Sequence, residues 1–192
     1  DVIIEKNLVC IKNILTPNDS IPLFNGGVEE NLEQFNQFIV DQNYKPRKTE
    51  SIIGGIQKFG IKNNIIFFDA GKSPTKKFSK SYQSGPLSFE YYLDGNKIIT
   101  NCGFGSNISP KAELLSRLTS AQSTLTLNDT TITKFERNKT INKVFGNSVK
   151  NSFKVFDVNF IENNNFIKVS ATHNGYERKF SCIHKREIEI NF

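Results

Sequence analysis

The sequence contains no methionine and no tryptophan, two histidines and three cysteines among 192 residues. Each shortage narrows the reading. A complete reading frame begins with Met, so a chain that opens on Asp1 and contains none is expected to be a processed form or a fragment. The final REIEINF reads as a strand stopped partway, which extends that expectation to the C-terminus. Cys10, Cys102 and Cys182 are odd in number, widely spaced and contain no C-x-x-C pair, which argues against a disulfide framework or a zinc knuckle. Cys102 and Cys182 fall in apolar runs and are expected to be small core residues. No run approaches the roughly eighteen apolar residues of a membrane-spanning helix, and no signal peptide is visible. Arginine is also scarce, at five against twenty lysines. Nucleic-acid readers cluster arginines among aromatics, so the net charge of +6, read as spread along the chain, does not predict a nucleic-acid partner. Two readings of the lysine excess stay open. It reflects Lys-, Asn- and Ile-rich usage of the kind an AT-rich genome produces, or it makes a basic surface that attracts an anionic polymer.

What is present suffices for one domain with a sizeable core, since 37% of the residues are apolar. Val28, Leu32, Phe35 and Ile39 recur at helical spacing, with Glu29 and Glu30 where a first helical turn favours acids, and this predicts an amphipathic helix over 28–40. IPLFNGG before it supplies a turn, and Pro46 ends it. From Ser51 onward the chain changes period. Short β-branched and aromatic runs alternate with turn residues, the pattern of an antiparallel meander or sandwich. IQKF and NIIFFDAG flank a KNN turn, and LSFEYYL and KIITNCG flank Asp94-Gly95-Asn96, whose Asp-Gly pair tolerates the positive φ of a tight hairpin. STLTL alternates as a strand, FKVFDVNFI and NFIKVSAT form a further hairpin around 162–164, and a last strand is expected over 178–190. The polar stretch 138–151 is expected to be a mobile loop, and no solenoid-length repeat is present.

Four words stand in a fixed order along this chain: IPLFNGG, SYQSGPLSFEYYLDGNKIITNCG, RLTSAQSTLTLNDT and ATHNGYERKFSCIHKREIEI. Together, over residues 15–189, they resemble the C-terminal β-domain of the heparinase II/III-like family. That family carries His-Ala-(Asp or Gly)-x-x-Ser-Phe, a hairpin, Asp-x-Gly, then Ala-His-(Asn or Ser)-Thr, and later His-Asp-Gly-Tyr. The resemblance implies an all-β fold: an antiparallel β-sandwich over 51–192, truncated at its end. Residues 1–50 would then be the last helical tail of an (α/α) toroid domain that is otherwise missing.

It also implies a polysaccharide lyase that cleaves a uronate-containing, anionic glycan by β-elimination, in the periplasm or cell envelope, with the cytoplasm as the alternative compartment. Oligomeric state is not legible. In zinc-bearing relatives two histidines and an aspartate of this domain bind the metal. Here Gln83, Asn101 and Gln122 stand at those positions. Amides carry no charge to offset the dehydration of a zinc ion, so no metal or other cofactor is expected, and the three amides are expected to hydrogen-bond one another. The family's further histidine, two positions upstream of the first ligand position, is replaced by Ser81, with Tyr82 beside it as a substitute proton-transfer group or a packing residue. His173 and Tyr176 line the cleft and act on sugar, or they pack the His173-Asn174-Gly175-Tyr176 turn; Asn174 joins them as a substrate-binding candidate. His184, one residue after Ile183, faces the other side of its strand and is read as structural. Arg117 matches a family arginine and would hold a uronate carboxylate bidentately or form an internal salt bridge. Gln83, Asn101 and Gln122 complete the substrate-binding candidates. The alternative function is a non-catalytic carbohydrate-binding or structural β-domain that has lost its histidines.

Overall fold

Two kinds of local signal build the molecule: tight turns that allow positive φ, and strands whose alternate residues are apolar. A computed structural model describes residues 2–30, 32–42 and 52–192. Strands β1 (Ile52–Ile53), β2 (Ile56–Ile61), β3 (Asn64–Asp69), β4 (Phe89–Leu93) and β5 (Asn96–Ile99) form one antiparallel sheet in chain order. Strands β6 (Val155–Glu162), β7 (Phe166–His173) and β8 (His184–Asn191) form a second. The Asp-Gly signal is realised as expected, because Leu93 pairs with Asn96 across Asp94 (φ 49°) and Gly95 (φ 79°). Two positive-φ residues match the right-handed twist of the flanking strands. Asn63, in the neighbouring hairpin turn, donates from Nδ2 to Asp94 Oδ1 at 2.8 Å and ties the two hairpin tips together.

The sheets pack face to face. Ile66 and Phe68 of β3 join Phe59 and Leu87 and meet Ile167, Val169 and Ala171 of β7, with Ile188 and Ile190 of β8 at the edge of the cluster. Strand periodicity sends Phe67 to the opposite face, where it packs with Tyr92 edge-to-face at 5.8 Å beneath Phe24. The chain is thus an antiparallel β-sandwich whose first sheet is also covered on its outer face by the N-terminal segment.

That segment holds helix α1 (Val2–Ile14), which the sequence analysis did not assign, and helix α2 (Glu33–Asp41). The helix expected from residue 28 therefore starts five residues later. Leu32 sits at its N-cap with no side-chain oxygen to offer, and its N–H is spent on Asp19 O at 3.3 Å.

Several other differences share one cause: polar side chains satisfy backbone groups that would otherwise be left unpaired or used in a strand ladder. STLTL is not a strand. Ser123 Oγ bonds Phe89 O, Thr124 Oγ1 donates to Pro86 O at 2.7 Å, and only a bridge between Leu127 and Thr130 remains. Helix α3 (Pro110–Ser116) starts from Ser109, whose Oγ accepts from Ala112 N at 3.1 Å, with proline at the first turn. The stretch expected to be a mobile loop contains helix α4 (Lys139–Phe145), capped by Asn138 Oδ1 on Thr140 N and Ile141 N. The last strand begins at His184 rather than 178 because helix α5 (Glu177–Phe180) intervenes and ends on Ser181 at φ 53°. Cys102 is exposed, contrary to the core position expected for it, and Cys182 is half-buried at the rim of a second aromatic cluster. Among the described residues no helix is long and apolar enough to cross a membrane.

Candidate functional site

At the end of β3 the backbone leaves the ladder and forms one wall of a pocket. Gly55 and Gly71 approach so closely that a Cβ on Gly55 would lie 2.3 Å from Gly71 Cα, so glycine is required there. Gly71 N–H turns back to Asp69 Oδ1 at 2.8 Å, and Asn25 Nδ2 donates to Asp69 Oδ2 at 3.2 Å. The chain then runs through a single 3₁₀ turn at Lys76–Phe78. Ser79 Oγ fixes the exit from that turn, donating to Lys76 O and accepting from Val149 N, both at 2.8 Å. The open pocket is about 330 Å³ and is lined by Asn25, Asp69, Lys72, Lys77, Lys80 and Tyr82, among others. Lysine is thus not evenly spread along the chain. KSPTKKFSK concentrates it, and three of its four lysines border this one cavity.

The wall is held from beneath by Arg117. Its side chain is wholly buried, donating from Nε to Tyr82 O at 2.8 Å and from Nη2 to Ser79 O at 2.9 Å, with the Phe135 ring 4.0 Å away. Burial lowers its pKa to about 10, so it remains a cation at neutral pH. Tyr82 is also buried, and burial, then the Asp69 charge, push its phenol well above the usual value, so it holds its proton. Burial raises Asp69 to about 6 against the lowering hydrogen bonds from Gly71 and Asn25.

The three amides gather nearby but do not bond one another, as had been expected. Gln83 Nε2 donates to Gly103 O (2.8 Å) and Ser116 O (2.9 Å), while its Oε1 accepts from Gly26 N at 3.1 Å. Gln122 Nε2 reaches the same Ser116 carbonyl at 2.7 Å, and Asn101 Oδ1 accepts from Ser123 N at 3.0 Å. The reason is positional. Ser116 ends α3, its carbonyl has no partner within the helix, and two amide donors supply it. Among the described residues no three His, Cys, Asp or Glu side chains gather as metal donors.

His173, Tyr176 and Tyr82 belong to one aromatic cluster, linked by a residue the sequence analysis passed over. Phe153 lies 6.5 Å from the Tyr82 ring and 5.9 Å from that of His173, which is 5.7 Å from Tyr176. Of the three, Tyr82 reaches the pocket. Tyr176 is buried, donating its hydroxyl to Leu125 O at 2.6 Å and accepting from Leu127 N at 3.3 Å. Asn174 braces the turn, accepting from Lys154 N at 2.7 Å and donating to Glu177 Oε2 at 3.1 Å. His184 faces the side opposite the exposed Ile183, as expected, and is buried there, paired with His173 in the β7–β8 register.

The histidine tautomers follow from their partners. Gly175 N–H donates to His173 Nδ1 at 3.0 Å, so the His173 proton sits on Nε2, and that proton is donated to His184 Nδ1 at 3.0 Å. Both rings must be neutral for this arrangement. Burial first, then neighbouring positive charge, depress His173 to about 3 and His184 to about 4. Because the folded values lie below the ordinary 6.5, this contribution is complete above pH 6.5 and is lost as pH falls toward 4. The unfolding free energy is expected to fall by at least about 2 kcal/mol between pH 7 and 4.5. Urea titrations across that range check it, and His184→Gln is expected to flatten the loss. An unchanged profile in that variant would exclude the pair as its source.

The sequence profile of the heparinase II/III-like C-terminal family matches residues 43–192. No curated protein matches the sequence. Among solved structures, a mutant of the heparan sulfate lyase HepC from Pedobacter heparinus is similar, with a TM-score of 0.63 at 17% identity over 93% of this chain and 29% of that one. A heparinase III gene product gives 0.62 at 13% identity over 92% of this chain and 28% of that one. A further heparinase III gives 0.55 at 14%, covering 96% and 31%. These likenesses establish the fold, and the chain spans about three-tenths of the length of each of these structures.

Proposed function

We propose, for a chain that belongs to the heparinase II/III-like C-terminal family, that it is the β-sandwich part of a polysaccharide lyase acting on an anionic, uronate-containing glycan. The observation that carries this reading is the pocket in which Lys72, Lys77 and Lys80 surround Tyr82. Three ammonium groups on one cavity attract sulfate or carboxylate groups, and their field strengthens where the walls exclude water. In β-elimination a base removes the proton on the carbon bearing the carboxylate, a carbon–carbon double bond forms, and the glycosidic C–O bond breaks as its oxygen is protonated. Tyr82, which keeps its proton, suits the last step as general acid. Arg117, wholly buried on backbone carbonyls, shapes the pocket in this reading rather than touching a uronate. His173, Tyr176 and Asn174 support the aromatic cluster behind Tyr82, and Asn101, Gln83 and Gln122 brace the backbone beside it.

Zinc has no part in this reading. The amides at the family's ligand positions are uncharged and their NH₂ groups on Gln83 and Gln122 are committed to carbonyls, so they do not fit the ion. A second reading, a non-catalytic glycan-binding domain, is favoured by Ser81 at the family's histidine position and by the burial of His173. One assay separates the two. Full-length protein incubated with uronate polysaccharides is expected to release unsaturated, ultraviolet-absorbing ends, unaffected by EDTA and slowed at least about a hundredfold by Tyr82→Phe. Glycan binding with no unsaturated product would leave the second reading, and loss of activity with EDTA would reinstate a metal.

A further inference from the structure

Asp69 is an acid in the wall of a pocket otherwise bordered by lysines, and its place in the fold explains why. Its backbone joins β3 to the chain entering β4, with Asp69 N–H on Ser88 O at 2.9 Å and Leu87 N–H on Asp69 O at 3.0 Å, so the residue is anchored in the pocket wall. The side chain is 5% exposed. Its oxygens rest on Gly71 N and Asn25 Nδ2, both neutral donors. Around it, the segment after β3 brings Lys72, Lys77 and Lys80, all exposed at the pocket mouth, and Tyr82 follows behind them. The turn before α2 contributes Asn25, and the β1–β2 turn contributes Gly54, which adds no ionisable side chain.

We propose that this pocket is a proton-linked anion site: Asp69 takes up a proton when an anionic sugar group binds, so binding tightens as the solution becomes more acidic. The inference rests on reading the pocket as the anion site and adds its regulation. An ionised Asp69 repels a sulfate or carboxylate drawn in by the lysines, whereas a protonated Asp69 offers its O–H as a donor. Linkage makes the effect reciprocal, so the arriving anion raises the affinity of Asp69 for its proton by the same factor. Burial already places the titration of Asp69 near pH 6, within reach of ordinary physiological shifts. The two histidines of the chain are held well below that range and do not obscure it.

The probe is a heparin disaccharide bearing sulfate esters and a uronate carboxylate, whose charges are fixed between pH 5 and 8. Calorimetric titration of the protein is expected to give an affinity at least about fivefold higher at pH 5.0 than at pH 7.5. Asp69→Asn is expected to bind at both pH values with the affinity the unaltered protein has at pH 5.0. A second measurement needs no substitution. At pH 6.5, titrations in two buffers of different ionisation enthalpy are expected to report uptake of about half a proton per disaccharide bound. Binding with no proton uptake, or a pH dependence that survives in Asp69→Asn, overturns the linkage and leaves the anion site standing. Absence of binding at every pH, or binding unaffected by combined Lys72→Gln, Lys77→Gln and Lys80→Gln, overturns the site and the linkage with it.

Discussion

Glu90→Ala is expected to lower the unfolding free energy by at least about 4 kcal/mol, enough to consume much of the stability of a domain this size. Glu90 is wholly buried on β4 and accepts four hydrogen bonds. Its Oε1 takes Leu23 N at 3.2 Å, Asn101 N at 3.1 Å and Thr100 Oγ1 at 3.0 Å, and its Oε2 takes the Tyr92 hydroxyl at 2.9 Å. These donors belong to the N-terminal segment, to the chain leaving β5 and to β4 itself, so one carboxylate ties the remote N-terminal segment to the β4–β5 hairpin. Alanine leaves Leu23 N, Asn101 N and the Tyr92 hydroxyl without this buried acceptor, each at about 1–3 kcal/mol, whereas Thr100 is exposed and its hydroxyl also reaches Asn101 O at 3.1 Å. Glu90→Gln keeps an acceptor at one position, and the Tyr92 hydroxyl can reverse its role there, so a smaller loss of about 2 kcal/mol is expected. Urea denaturation of both variants checks the order. A loss below about 1 kcal/mol for alanine would mean that water reaches these donors and that the N-terminal segment is not locked to the sheet through Glu90.

Glu90 was invisible to pattern reading for a physical reason. In LSFEYYL it occupies a position that alternation assigns to one face, but nothing in the sequence says that this face is covered by residues more than sixty positions earlier, through Leu23 and Phe24. Features legible in the sequence were those whose cause is local. Asp94-Gly95 dictates its hairpin by backbone sterics, and the β6–β7 and β2–β3 hairpins follow from runs of period two. Features that failed depend on partners far along the chain. STLTL alternates like a strand, yet Ser123 and Thr124 find acceptors on Phe89 and Pro86. Cys102 lies in an apolar run, yet that run leaves the sheet after β5 and the residue is exposed rather than in the core. His184 was assigned to the side of the chain opposite Ile183, and it is buried there while Ile183 is exposed, but its partner His173 on the neighbouring strand was not legible.

The candidate site was partly legible in the same sense. Tyr82 could be picked out because it neighbours a motif, and the lysines of KSPTKKFSK were plain in the sequence once charge was read locally instead of along the whole chain. Asp69 could not be recognised, because its significance lies in the burial that closes over it when β3 meets the turn at Gly54 and Gly55. Arg117 was recognised as important, but its partner was not. A guanidinium that looks suited to a substrate carboxylate is spent on two main-chain carbonyls of its own chain.

That assignment predicts how Arg117 variants behave. Arg117→Ala is expected to cost about 3–4 kcal/mol of stability, because it removes two charge-assisted hydrogen bonds and the contact with Phe135 and opens a void under the pocket wall. Arg117→Lys keeps the charge, but a single ammonium lacks the planar fork that serves Tyr82 O and Ser79 O together, so most of that loss should remain. The effect reaches function through residues 79–82, which carry Lys80 and Tyr82 into the pocket. At a temperature where both variants stay folded, affinity for the heparin disaccharide is therefore expected to fall at least about tenfold although Arg117 touches no ligand. The comparison with Lys80→Gln decides the cause. If Arg117 positions the wall, the double variant with Lys80→Gln loses little more than either single one, because both act on the same ammonium. If the two losses add in full, Arg117 acts on binding by another route. If binding is unchanged while stability falls, the wall keeps its shape without the guanidinium, and Arg117 is a core residue alone.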